Sequence, residues 1–181
     1  MSLLANRARG YYIYKKTSSH RTIDIYIDGS SIGNPGDSGI GVIFSSGNVT
    51  LKNISKYIGK QTNNFAEYTA LVYALQEALI MKAAYIKIFS DSELLCKQLN
   101  GEYRVKSENI KNLFEQAVNL LKGFKDYNIT HIPREQNRGA DKLARLAIKR
   151  KKHLLNNAKV MEGSFKPTIS SVGKEASVGF A

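Results

Sequence analysis

The sequence predicts a mixed α/β fold: a five-stranded sheet in which a three-strand antiparallel meander joins two parallel strands, flanked by helices. Three observations predict it. Up to about residue 58 the apolar residues alternate with period two in runs separated by short turns, which reads as a meander. From about residue 64 the period lengthens to that of a helix, and helical and strand-like segments then follow one another as in strand–helix–strand units with right-handed crossovers. At 181 residues the chain fits one domain with tails, large enough to bury a core without disulfide or structural metal.

In residues 22–28, Ile23, Ile25 and Ile27 alternate with Asp24, Tyr26 and Asp28, as in a half-buried strand. Residues 29–36 are rich in Gly, Ser, Asn and Pro and read as a turn. Two further strands, 39–45 and 49–58, are joined by Ser46-Gly47-Asn48. A helix from 64 to about 82 carries Leu71, Leu75, Ala78 and Leu79 on one face. A buried-type strand at 85–90 and a short helix at 91–100 follow. The helix at 107–122 repeats Ile110, Leu113, Phe114, Ala117, Leu120 and Leu121 at core-facing spacing. A last strand spans 127–132, and a last helix runs from 137 to about 151 with Ala140, Leu143, Ala144 and Ala147 inward. From about residue 156 the chain is aperiodic and Gly/Ser/Lys-rich, the composition of a disordered tail. The expected organisation is a basic arm at 1–21, a folded domain at 22–150 and a basic tail at 151–181.

The formal net charge of +12 sits at the ends. Residues 1–21 hold five bases and no acid, and residues 149–181 hold seven bases against two acids, which leaves 22–148 at only +2. Basic ends favour a polyanion, with solubilising tails as the plainer reading. Tyr11-Tyr12-Ile13-Tyr14-Lys15-Lys16 mixes aromatics and bases as nucleic-acid-binding segments do, and the same acid-free start also suits an organellar presequence. The single cysteine, Cys96, excludes an intrachain disulfide and a cysteine-built zinc site. No apolar stretch reaches the roughly 18 residues of a membrane span, so no membrane partner is expected. A monomeric, cytoplasmic protein is the accompanying expectation.

Ligands in such sheets sit beyond the carboxyl ends of the parallel strands, and acids collect there. Asp28 closes the first strand and Asp91 follows the fourth. Each has a plain alternative, Asp28-Gly29 as a turn and Asp91 or Ser92 as a helix cap. Glu67 shares its helical face with Leu71, Ala74, Leu75 and Ala78, and a core-facing glutamate must be paired, protonated or bound to a cation. Its alternative is a first-turn position favoured by the helix dipole. Asp141 begins the last helix, with Arg145 at i+4 as an ordinary partner. Together, such acids repel unless a cation lies among them, and an all-oxygen cluster suits Mg²⁺ or Mn²⁺. Two such ions about 4 Å apart can activate a water and steady the leaving oxygen of a phosphodiester.

The blocks DGSSIGNPGDSGIGVIF (28–44), TNNFAEYTALVYAL (62–75), IFSDSELLCKQL (88–99) and PREQNRGADKLARLA (133–147) resemble type 1 ribonuclease H, in order and at suitable spacing, over residues 23–149. The resemblance implies a ribonuclease H-like fold and endonucleolytic cleavage of the RNA strand of RNA–DNA hybrids, leaving 3′-hydroxyl and 5′-phosphate ends. The family's metal-binding acids fall on Asp28, Glu67, Asp91 and Asp141. By resemblance Asp28 bridges two Mg²⁺ ions (Mn²⁺ being the alternative), Glu67 and Asp91 hold the one on the leaving-oxygen side, and Asp141 holds the other. Residues 29–34, Gly29 and Ser30 among them, would read 2′-hydroxyls together with Glu67. Asn34, Thr62, Asn63 and Asn64 would meet the minor groove and a DNA phosphate, or simply form a turn and cap a helix.

The sequence also departs from many relatives. Where they carry a mobile histidine before the last helix, the PRExN pattern of one branch places an arginine, here Arg134; His131 falls within the preceding strand. No lysine-rich protrusion is inserted between Leu99 and Ser107, so hybrid affinity is expected to rest on the basic ends, Lys149-Arg150-Lys151-Lys152 included. Glu93 stands where relatives carry an RNA-contacting glutamine. Two other readings stay open: a non-catalytic module binding hybrids or double-stranded RNA, and the same chemistry on another nucleic acid.

Overall fold

The computed structural model describes residues 22–164, with side chains described as far as Leu154. β1 (Thr22–Gly33), β2 (Gly36–Ser46) and β3 (Val49–Gln61) form the meander, and α1 (Asn63–Ile80) leads to β4 (Tyr85–Ser90). α2 (Glu93–Leu99) and α3 (Glu108–Leu121) precede β5 (Asp126–His131). A single 3₁₀ turn, Arg134–Gln136, then opens into α4 (Arg138–Ser164). The strand order is β3-β2-β1-β4-β5, with β1 antiparallel to β2 and parallel to β4. β4 and β5 are also parallel, so the predicted mixed five-stranded sheet is the one observed.

Period-two alternation sorts β1 between two helical layers. Ile25 and Ile27, in register with Phe44 and Val42, enter a core that includes Tyr68, Leu71, Leu75, Ile86 and Ile88. α1 covers that face and α3 flanks it, with Tyr68 meeting Phe114 edge-on. The opposite face of β2 lies under α4, which buries Ala140, Ala144, Ala147 and Ile148 there. Small residues on both sides allow this close approach. No described helix is long and apolar enough to cross a membrane.

Several element bounds are corrected. Most of the run 29–36 is strand, paired from Gly29↔Ile40 to Gly33↔Gly36, and only Asn34-Pro35 is left as the tip. A strand of Gly and Ser shows no apolar alternation, so the pattern ends at Asp28 although the pairing does not. β3 likewise continues to Gln61. The last helix does not stop near residue 151, and the boundary drawn at 150 falls inside α4. Residues 151–162 contain neither Gly nor Pro, so nothing in them opposes the helix before Gly163. The arm at 1–21, with Tyr11–Lys16, and residues 165–181 lie outside the described residues.

Candidate active site

Two glycines organise the site around Asp28. Gly29 follows it in β1, and Gly41 faces it across the β1–β2 register. A Cβ at Gly29 would stand 2.2 Å from the backbone of Ala66 and Glu67 in α1. One at Gly41 would stand 2.0 Å from the Ala140 carbonyl oxygen in α4. Hydrogen in place of a side chain therefore lets one helix settle on each face of the sheet. α1 delivers Glu67 and α4 delivers Asp141 to the neighbourhood of Asp28. Asp91 arrives from β4, the parallel neighbour of β1. All four predicted acids meet at one sheet edge, where each contributes to the electrostatics of Asp28.

Asp28 is 7% exposed, and its Oδ2 is buried without a hydrogen-bond partner. Burial first, then the charges of Asp91, Asp141 and Glu67, push its pKa up to about 8, with Arg134 opposing. Burial likewise drives Glu67 up to about 7, against hydrogen bonds from Ser92 and Asn63 that favour its ionised form; Asp91 adds to the rise. Those bonds run from Ser92 Oγ to Glu67 Oε2 and from Asn63 Nδ2 to Glu67 Oε1 at 2.9 Å. Asp91 Oδ1 accepts from Asn137 Nδ2 at 2.7 Å. Asp141 Oδ1 accepts from Arg134 Nη2 at 2.9 Å and from Arg145 Nε at 3.0 Å, so the i+4 partner is real.

Among the described residues, no group of three His, Cys, Asp or Glu side chains is arranged to hold a metal ion as it stands. Asp141 faces two guanidinium groups, while Glu67 and Asp91 are engaged by neutral donors. The donor set nevertheless fits a hard divalent cation. Every donor is a carboxylate oxygen, and one of them, Asp28 Oδ2, is buried with no donor of its own. A cation there would relieve the repulsion that raises Asp28.

The expected substrate-facing residues adjoin this edge. Asn34, at the β1–β2 tip, accepts from the Asn63 backbone N–H at 3.2 Å. Thr62 caps α1, accepting from the Phe65 N–H at 3.3 Å. Asn64 Oδ1 is buried without a partner. Ser30 is half-buried, whereas Gly29 is buried beneath α1 and offers space rather than surface. His131 is exposed at the end of β5, on the side of Glu93, and Glu93 pairs with Lys97 at 2.7 Å. Arg134, not His131, touches an acid of the quartet.

Two contributors escaped the sequence reading. Asn137 is 1% exposed, and its Nδ2 donates both to the Ile27 carbonyl at 2.9 Å and to Asp91. Its own carbonyl accepts from the Asp141 N–H at 3.1 Å. One residue thus joins the strand before Asp28 and the residue after β4 through its side chain, and the start of α4 through its backbone carbonyl. The available signal was an Asn placed where α4 begins, four residues before Asp141. Ser92 is the expected cap of α2, accepting from Leu95 N–H at 3.4 Å, but it also donates to Glu67.

A family profile described as reverse transcriptase-like matches residues 26–147. The chain is 39% identical over 127 residues to a protein named ribonuclease HI from Halobacterium salinarum, covering 70% of this chain and 64% of that one. It is 33% identical over 144 residues to a ribonuclease H of Chlorobaculum parvum, covering 71% of this chain and 97% of the relative. The crystal structure of the Halobacterium ribonuclease H1 superposes with a TM-score of 0.69 at 38% identity, covering 71% of this chain and 98% of that one. A ribonuclease H1 from compost metagenome, solved in complex with an RNA/DNA hybrid, gives 0.68 at 38% identity over 71% of this chain and 98% of its own. The chain spans less than two thirds of the Halobacterium protein's length and 35% of a Mycobacterium tuberculosis bifunctional protein that it also matches.

Proposed function

Because the chain belongs to the type 1 ribonuclease H family, we propose that it hydrolyses the RNA strand of RNA–DNA hybrids endonucleolytically, giving 3′-hydroxyl and 5′-phosphate ends. The observation that carries this reading is the convergence of Asp28, Glu67, Asp91 and Asp141 on one sheet edge, with a buried, unpartnered carboxylate oxygen at its centre. Two divalent cations, Mg²⁺ or Mn²⁺, held by these four acids would supply charge neutralisation at the scissile phosphate and a more acidic water. A relative solved with an RNA/DNA hybrid supports the substrate.

The protein's own residues then divide the work. Asp28 is held rigidly between the two helices, with Asp91 fixed by Asn137 and Glu67 by Ser92 and Asn63. Asp141 completes the set by turning from its guanidinium partners. Arg134, 63% exposed at its side chain, is then free to donate to a phosphate oxygen. Ser30 and the exposed tip around Asn34 lie beside Glu67, where 2′-hydroxyl donors and acceptors distinguish RNA from DNA. Thr62, Asn63 and Asn64 continue that polar surface toward the second strand. Monomeric action in the cytoplasm belongs to the same reading.

The test is cleavage of an end-labelled hybrid with Mg²⁺, Mn²⁺ or EDTA, beside single-stranded RNA and Asp91→Asn. Metal-dependent cutting of the hybrid alone, lost in the variant, is expected. Tight, salt-sensitive binding without cutting would overturn catalysis in favour of a binding module, and preference for duplex RNA or DNA would overturn the substrate.

A further inference from the structure

α4 carries Arg138, Lys142, Arg145, Lys149 and Lys152 at i, i+4, i+7, i+11 and i+14. That spacing places all five on one helical face, within about 40° of a common line at 3.6 residues per turn. All five are exposed, and the line runs opposite the buried Ala140, Ala144 and Ala147. From residue 142 to 161 the chain holds no acid, so nothing neutralises the distal part of the stripe from within the helix. Its near end is already at the catalytic edge. Arg138 lines a cleft with Arg134, Glu135 and Asp141, and Arg145 touches Asp141.

The direction of the stripe is fixed by the glycines of β2. Gly41, level with Asp28, lies under Ala140 and Ala144; Gly39, level with Ser30, lies under Ala144, Ala147 and Ile148. α4 therefore runs from the acids in the same sense as the tip that bears Asn34. The stripe and the polar tip are two tracks leaving the acids on the same course. Fourteen residues at 1.5 Å make the stripe about 21 Å long, or about six base pairs of duplex at 3.4 Å each.

We propose that this face of α4 is a phosphate-backbone track that grips the nucleic acid several base pairs away from the acids. The proposal rests on the hybrid-cleaving reading above and adds a site outside the catalytic edge. It also explains how a chain with no lysine-rich insert between Leu99 and Ser107 can hold a long polyanion. Lys149 and Lys152 lie about 16–21 Å along the helix, beyond the reach of a short duplex centred on the acids.

The test measures binding of Asp91→Asn protein, with and without Lys149→Gln/Lys152→Gln, to hybrids of 8 and 20 base pairs across a salt series. Thermal unfolding of both proteins checks that they are equally folded. On the long hybrid the double change is expected to weaken binding roughly tenfold at low salt and to flatten the log Kd–log salt slope by about 1.8, at 0.9 per phosphate lost. The short hybrid is expected to change less than about twofold. Equal loss on both lengths, or no loss on either while both bind, overturns the track and leaves the proposed function standing. If the parent Asp91→Asn protein binds neither hybrid, the hybrid-cleaving reading itself is overturned.

Discussion

Replacing Asp28 with asparagine should shift the stability of the metal-free protein in the variant's favour as pH rises, becoming a net gain near neutral pH. In the folded chain the Asp28 pKa rises from 3.8 to about 8. A folded-state pKa above the unfolded one means that the native state binds the extra proton between those values. Stability is therefore fully present below about pH 4 and is lost as pH rises toward 8. At about 1.4 kcal/mol per unit, holding the Asp28 proton costs the native state about 4 kcal/mol at pH 7, and ionising it costs on the order of 6 above pH 8. Asparagine has nearly the same shape and no charge to lose. Its amide nitrogen, set where Oδ2 has no partner, adds a pH-independent penalty of about 1–3 kcal/mol. Comparing pH values removes that constant. Urea unfolding in EDTA at pH 4, 7 and 8.5 should show the gap between variant and parent moving by about 4 kcal/mol in the variant's favour from the first to the second. Adding Mg²⁺ should narrow it, because only the parent retains the central ligand. A gap independent of pH would refute the argument that burial, reinforced by the neighbouring acids, disfavours the Asp28 carboxylate in the native state.

Three further outcomes follow from the geometry. Gly41→Ala puts a methyl group against the Ala140 carbonyl, and should cost at least about 1–3 kcal/mol in urea unfolding while cutting hybrid cleavage far more than an exposed Gly47→Ala. Asn137→Ala leaves the Ile27 carbonyl unpaired and Asp91 without its donor; a loss of about 1–3 kcal/mol in stability and a higher Mg²⁺ requirement for cleavage are expected. Arg134→Ala frees Asp141 of one cation but removes the proposed phosphate donor. Steady-state kinetics should show kcat reduced roughly ten- to a hundredfold, with partial recovery in Arg134→Lys.

The sheet was legible because its core strands alternate: Ile23, Ile25 and Ile27 announce both a strand and its buried face. The glycine-rich continuation of β1 was not, since strand pairing through Gly29–Gly33 depends on a partner strand rather than on its own side chains. The acids could be picked out by position, Asp28 and Asp91 at strand ends, Glu67 on an inward helical face and Asp141 at a helix start. Their supports could not. Asn137 reaches the Ile27 carbonyl across 110 positions of sequence, a contact no local pattern encodes. Ser92 satisfied the simple role of a helix cap, which hid its second bond to Glu67. The extension of α4 carries no apolar period and has the composition of a disordered tail, yet no Gly or Pro interrupts the helix between residue 140 and Gly163.

The glycines beside Asp28 also make the site a matter of backbone spacing. Rotamers can relax around a misplaced carboxylate, but two main chains in contact have no such freedom. The separation of the acids is thus set by the thickness of two helix–strand contacts, as a gauge block sets a gap. Surface residues around it can drift without altering the gap. A single added methyl at either glycine would widen it, however faithfully the acids themselves were kept.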